Sequence, residues 1–249
     1  MIDPSRPYFA ISSDIDWASE DCILDFLDII SGNEIRPTLF STHKSDIINS
    51  YQSRDLVDVG LHPNFLPGST HGSTFTEVAQ HVHDLHPGAI SFRSHAYMDG
   101  TPISLAMRAH GMLYDSNLSL YLQAGIMPLE HWSGIRRFPS FWCEDVHWTR
   151  TGGNWSFNDC ADAFFTPGLK IINVHPIHVA LNTPIGSFYS DISIKAPDLT
   201  KVDVQNIRFQ GRGTRTFLQD MIASVKGAGH SFYTLRELYE LDQKTNGVI

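Results

Sequence analysis

The chain has 249 residues, 42% of them hydrophobic, with 18 lysines and arginines against 27 aspartates and glutamates. A formal charge of -9 with no cationic cluster excludes nucleic acid as a partner, because phosphate binding leans on Lys and Arg. Cys22, Cys143 and Cys160 form neither a CxxC pair nor a disulfide framework and suit a reducing compartment. The opening Met-Ile-Asp-Pro-Ser-Arg-Pro does not read as a signal peptide, and no run of 18 apolar residues occurs. No stable membrane insertion and a cytoplasmic location are therefore expected. No repeat, linker or low-complexity stretch divides the chain, so a single domain over 1–249 is the expectation. Thirteen histidines beside an acidic pair point to metal or proton chemistry.

In chain order, strand patterns fall at 8–15, 37–41, 57–62, 89–93, 112–114, 135–141, 169–175 and 230–234. Helical patterns fall at 19–30, 46–51, 75–85, 103–109, 214–226 and 235–241, and 184–212 reads as a polar surface excursion. Strand–helix alternation over this length predicts a parallel sheet closed into a TIM-like (β/α) barrel. Polar residues recur where the strands end, at the rim where such barrels place chemistry: Asp14 and Asp16, His62, Arg93 and His95, and His175.

The run Tyr8 to Trp17 ends in Asp14 and Asp16. On an extended strand these would share a face, and two like charges so close call for a cation or a shared proton. A helix cap at Asp16 or Ser19 would account for one aspartate only. His62 ends a buried strand, and a Pro/Gly loop separates it from His71. With Asp16 the two would make a His₂Asp set open to water and substrate, His43 and His95 being competitors for the place of His71. His81, His83 and His86 read as solvated. Arg93 faces the carboxylates as a brace or a structural ion pair, and Tyr97 lines the site or packs. Trp142 and Trp148 offer flat faces for a sugar ring or for the core. Asp145 is placed to orient a histidine, while Cys143 reads as inert, with no helix start or basic partner beside it. His175, at the end of the clearest buried strand, is a candidate general acid, with His178 as competitor.

These pieces, in this order over 8–175, resemble the polysaccharide deacetylase family (NodB-type carbohydrate esterases), and most closely its divergent WbmS-like branch in O-antigen clusters. The resemblance implies a distorted (β/α) barrel. It also implies Asp14 as catalytic base, Asp16, His62 and a stretched counterpart at His71 as metal ligands, and Arg93 as the brace of the base. Asp145 and Trp148 correspond to the fourth motif, and His175 to the fifth. Arg93 is followed two positions on by His95 where the family carries proline. The expected activity is metal-dependent N-deacetylation of an acetamido sugar, as a sugar nucleotide or lipid-linked glycan, with zinc favoured and Ni, Co or Fe possible. Tyr97, Trp142, Trp148 and His178 would contact the substrate. Rival expectations are another C–N hydrolase of this fold (allantoinase-like or deformylase-like) and a non-catalytic carbohydrate-binding relative.

Overall fold

The computed structural model of the chain describes residues 2–246. Ten strands make one sheet: β1 (Pro7–Asp14), β2 (Thr38–Ser41), β3 (Asp58–Leu61), β4 (Ser91–Phe92), β5 (Tyr114–Asp115), β6 (Leu129–Glu130), β7 (Arg136–Arg137), β8 (Trp142–Cys143), β9 (Gly168–Val174) and β10 (Phe232–Tyr233). The order is β6-β7-β5-β4-β3-β2-β1-β9-β8, with β10 against the first half of β1. Every pairing is parallel except β6 with β7. β1 and β9 carry the continuous apolar runs and are buried on both faces, as central strands of a parallel sheet must be.

The sheet is strongly curled, and one bond proves it. β4 and β9 stand four places apart in the sheet, about 19 Å if it were flat. Yet Arg93, the residue after β4, donates to Asn173 Oδ1 on β9 at 2.6 Å. The chain from β7 to β8 crosses from one margin of the sheet towards the other, pairing Ser140 with Ser119 on the way. The result is a distorted (β/α) barrel with chemistry-bearing residues at the strand ends.

Around it, helix Glu20–Gly32 buries Cys22, Ile23, Phe26, Leu27 and Ile30, and Ser19 Oγ caps it by accepting the Cys22 N–H. Ser19 alone does the capping, which leaves Asp16 free for another role. Helix Phe75–Leu85 begins with a reciprocal Thr74/Glu77 capping box. Three short helices lie outside the periodic patterns: Glu144–Thr151, Ala161–Phe165 and Pro176–Leu181. The apolar run 135–141 is a strand only at its start, and Phe138 and Phe141 spend their apolar surface in the core. The 184–212 segment is not a surface excursion. It forms helices Gly186–Ser190 and Lys201–Ile207 and buries Ala196, Leu199 and Val204. His86 is buried rather than solvated. No helix of the described residues is long and apolar enough to cross a membrane.

Lys170 is a consequence of this burial. It lies on β9 shut off from solvent, its Nζ donating to Thr166 Oγ1 and standing 4.2 Å over the Phe141 ring. Burial pulls its pKa from 10.5 to about 8. The folded state therefore holds this proton less tightly than the unfolded chain. The charge costs stability in full below about pH 8, roughly 3 kcal/mol for such a shift, and the cost fades as pH rises towards 10.5. Lys170→Met should be more stable than wild type near neutral pH, with an advantage that shrinks through that window. Urea unfolding at several pH values checks this, and a pH-independent difference would mean that packing, not charge, is responsible.

Candidate active site

The floor of the barrel mouth is built on Arg93, which is fully buried. Its Nε donates to the Ser116 carbonyl at 2.9 Å. Nη1 donates to Asp14 Oδ1 at 3.0 Å and to Asn173 Oδ1 at 2.6 Å. Nη2 donates to Ser12, Ser116 and Ser140 hydroxyls at 2.9, 2.7 and 3.1 Å. Every N–H of the fork is used, so the buried cation is compensated. Asn173 Nδ2 donates to the other Asp14 oxygen at 2.8 Å. Asp14 is thereby held at both oxygens with its face to the mouth. Tyr97 closes this floor, its hydroxyl donating to Ser140 Oγ and accepting from Asn173 Nδ2.

Asp16 reaches the same place by a route that strand alternation does not describe. β1 stops at Asp14, and Asp16 and Trp17 are both left-handed, with φ of 37° and 54°. The turn after β4 repeats this with Ala96 and Tyr97 at 54° and 52°. Four of the eight non-glycine residues with positive φ among the described residues thus sit in two turns at one site, where strain of this kind is tolerated for function. The turns bring Asp16 Oδ1 to 2.9 Å from His95 Nδ1 and 3.0 Å from His62 Nε2. His62 Nδ1 lies 3.6 Å from Asp14 Oδ1. Both His62 nitrogens are buried, and neither makes a hydrogen bond in spite of this proximity. An imidazole edge and carboxylate oxygens that crowd together without bonding one another fit a shared third point, and Asp16, His62 and His95 offer ligand atoms all within 4.8 Å. Burial opposes ionisation of Asp16, yet His62 and His95 hold its carboxyl well below the usual range.

His71 does not join this set. Its Nδ1 accepts the Asn64 N–H at 3.1 Å, its buried Nε2 makes no hydrogen bond, and it is not in the group whose ligand atoms lie within 4.8 Å of one another. Burial, with His81 stacked on it 4.8 Å away, pushes its pKa down to about 4 and keeps it neutral. The Pro/Gly loop is pinned by this bond instead of delivering a ligand. His43 Nδ1 is engaged with Thr42 Oγ1.

On the opposite side of Asp16, His175 Nε2 stands 3.4 Å from Asp16 Oδ2 and 4.0 Å from Asp14 Oδ2. Its Nδ1 and its backbone N–H both meet Glu144 Oε1 at 2.7 Å. Burial works against its charge, but Glu144, Asp16 and Asp14 raise its pKa well above the ordinary histidine value. The residue that orients the histidine is therefore Glu144. Asp145, the expected one, instead binds the Val146 N–H with its own Oδ1 in the first helical turn. Trp142 is likewise no sugar platform. It is buried, stacked on Phe217 at 4.7 Å and donating to His147. Trp148 and His178 stay half-buried and pack edge to face at 5.0 Å, with His178 against His175 at 5.6 Å. Cys143 does stand at a helix start, yet burial and the neighbouring Glu144 raise its thiol well above the usual value, so it is inert for that reason.

The WbmS-like polysaccharide deacetylase family matches residues 11–193. The chain belongs to this family. A Bordetella bronchiseptica polysaccharide deacetylase involved in O-antigen biosynthesis is 30% identical, with a TM-score of 0.78 over 89% of this chain and 91% of that one. Two more distant structures share the fold alone. The peptidoglycan deacetylase PdaC of Bacillus subtilis has 10% identity and a TM-score of 0.50 over 98% and 96% of the two chains. The Thermococcus litoralis 4-alpha-glucanotransferase has 9% identity and a TM-score of 0.54 over 94% and 38%. No curated protein matches the chain.

In this member of the WbmS-like family, the residues that sequence reasoning missed are Glu144 and Asn173, and His95, a competitor there, stands in the ligand-like position. Asn173 was visible as a polar residue two before His175 inside an apolar strand. Glu144 was not separable from Asp145 without knowing where the helix begins. The Arg93 network yields a direct test. Arg93→Met should destabilise the fold by about 3–5 kcal/mol, because it leaves Asp14 buried and uncompensated. Denaturant unfolding measures this, and the added change Asp14→Asn should recover part of the loss. No recovery would show that Arg93 supports the serines rather than the carboxylate.

Proposed function

We propose that the chain is a metal-dependent hydrolase that removes an N-acetyl group from an acetamido sugar of an O-antigen precursor. Family membership supports the deacetylase class, and the involvement of the Bordetella relative in O-antigen biosynthesis supports the setting. The observation that carries the metal reading is His62, with two buried, unbonded ring nitrogens between two carboxylates. Asp16, His62 and His95 would hold the cation, and their mixed N/O character suits zinc. When bound, it would polarise the amide carbonyl and lower the pKa of water.

The chain's own residues divide the remaining work. Asp14, fixed by Arg93 and Asn173, takes the proton of the attacking water. His175, kept charged by Glu144, gives a proton to the departing nitrogen as the C–N bond breaks. Water and amide thus become acetate and amine. Tyr97 and Arg93 hold the floor rigid, so that the base needs no reorganisation at the moment of attack.

Two measurements test this. Protein purified without chelator should contain about one equivalent of metal. His95→Ala should bind it far more weakly, beyond the 10–100-fold that outer-shell partners cost, while His71→Ala retains it. The reverse pattern would restore the loop histidine as ligand. Acetate, formate and ammonia release should then be scored on acetamido and formamido sugars and ureides. Acetate release that falls about 10²–10⁴-fold in Asp14→Asn, and less steeply in Glu144→Gln, is expected with metal content unchanged. Formate or ammonia release by wild type would transfer the protein to another C–N hydrolase class.

A further inference from the structure

We propose that Tyr189 is a substrate-positioning residue that forms the wall of the cleft on the His175 side and hydrogen-bonds the sugar. This rests on the hydrolase reading above and extends it to a residue beyond the deacetylase-like motifs. Asp16 divides the mouth: Oδ1 faces His62 and His95, and Oδ2 faces His175. On the first side Trp17 packs on His95 at 5.4 Å. On the second, His178 packs on His175, and Tyr189 packs edge to face on His178 at 4.9 Å.

The segment that delivers Tyr189 is anchored for this purpose. Trp155 Nε1 donates to the Pro184 carbonyl at 2.7 Å. The backbone at Gly186 passes so near Trp148 that a Cβ there would stand 3.4 Å from the indole nitrogen. Helix Gly186–Ser190 is therefore clamped against two tryptophans, with the Tyr189 ring held on His178. The phenol finds no hydrogen-bond partner among the described residues, yet burial and the charge of Asp16 raise its pKa. A half-buried phenol that bonds nothing in the described chain, one aromatic ring removed from His175, is placed to bond something that enters. The ring and Trp148 supply apolar faces suited to the C–H face of a pyranose.

The test compares wild type, Tyr189→Phe and Tyr189→Ala, all metal-loaded, on an N-acetylglucosamine-bearing sugar nucleotide and on N-methylacetamide, which has the amide without the sugar. Tyr189→Phe should raise KM for the sugar roughly three- to tenfold, the worth of one hydrogen bond, with kcat little changed. Tyr189→Ala should raise it further, and neither should alter metal content or turnover of N-methylacetamide. Unchanged KM in both variants overturns the proposal, as does an equal loss on both substrates, which would make Tyr189 a structural support of His178. Calorimetric binding of the same sugar nucleotide separates the two readings. If wild type binds it without releasing acetate, the hydrolase reading fails, and weaker binding by Tyr189→Phe still upholds Tyr189. If wild type does not bind it, the proposal falls.

Discussion

The constraint on which the site depends is the burial of one guanidinium. Removing Arg93 from water carries a penalty of several kcal/mol, which only near-complete hydrogen bonding can offset. That bonding comes from four separate stretches: Ser12 and Asp14 of β1, the turn at Ser116, Ser140 on the crossing between β7 and β8, and Asn173 of β9. The planar fork requires these groups to lie in fixed directions, which a flexible ammonium would not. The curl of the sheet and the pose of Asp14 are thus one fact seen twice. A flatter sheet would strand the cation, and an unbraced aspartate would leave it uncompensated.

On this rigid floor, the other functional groups are placed by what happens just after each strand stops. The two left-handed turns at Asp16–Trp17 and Ala96–Tyr97 redirect the chain so that side chains from β1 and β4 meet over His62, itself one residue past β3. The backbone of β9 ends at Val174, and His175 is fixed at once by a Glu144 oxygen that binds both its ring and its amide. Positioning through the strand ends keeps each group within tenths of an ångström while the loops beyond remain free to vary.

What was legible in the sequence follows from this division. Buried parallel strands write themselves as apolar runs, so β1, β2, β3 and β9 and the polar residues at their ends could be read directly, as could the amphipathic helices. Choices made by tertiary contact could not. On paper His71 is the expected ligand and His95 a competitor. The backbone amide of Asn64, a neighbour only in three dimensions, engages the first at its Nδ1. Glu144 and Asp145 differ by one position, and the start of a helix decides which carboxylate points at His175. Trp142 looks like a sugar platform until Phe217, 75 positions away, is found stacked on it at 4.7 Å. The 184–212 stretch has too few apolar residues for a periodic signal. It packs through a few of them, notably Leu199 and Val204.

The placement of His95 also explains why the loop between His62 and His71 can be as long and as rich in Pro and Gly as it is. A ligand must be held to within a fraction of an ångström by elements that do not move. The eight-residue Pro/Gly loop 63–70 is a poor mount, whereas a tight turn tied to a strand end by the Arg93 floor is a good one. With the proposed third ligand on that turn, His71 is left to staple the loop to itself through Asn64, its ring kept neutral by burial. The position of His95 lies against Asp16, and an imidazole there brings a nitrogen where a proline ring would bring none.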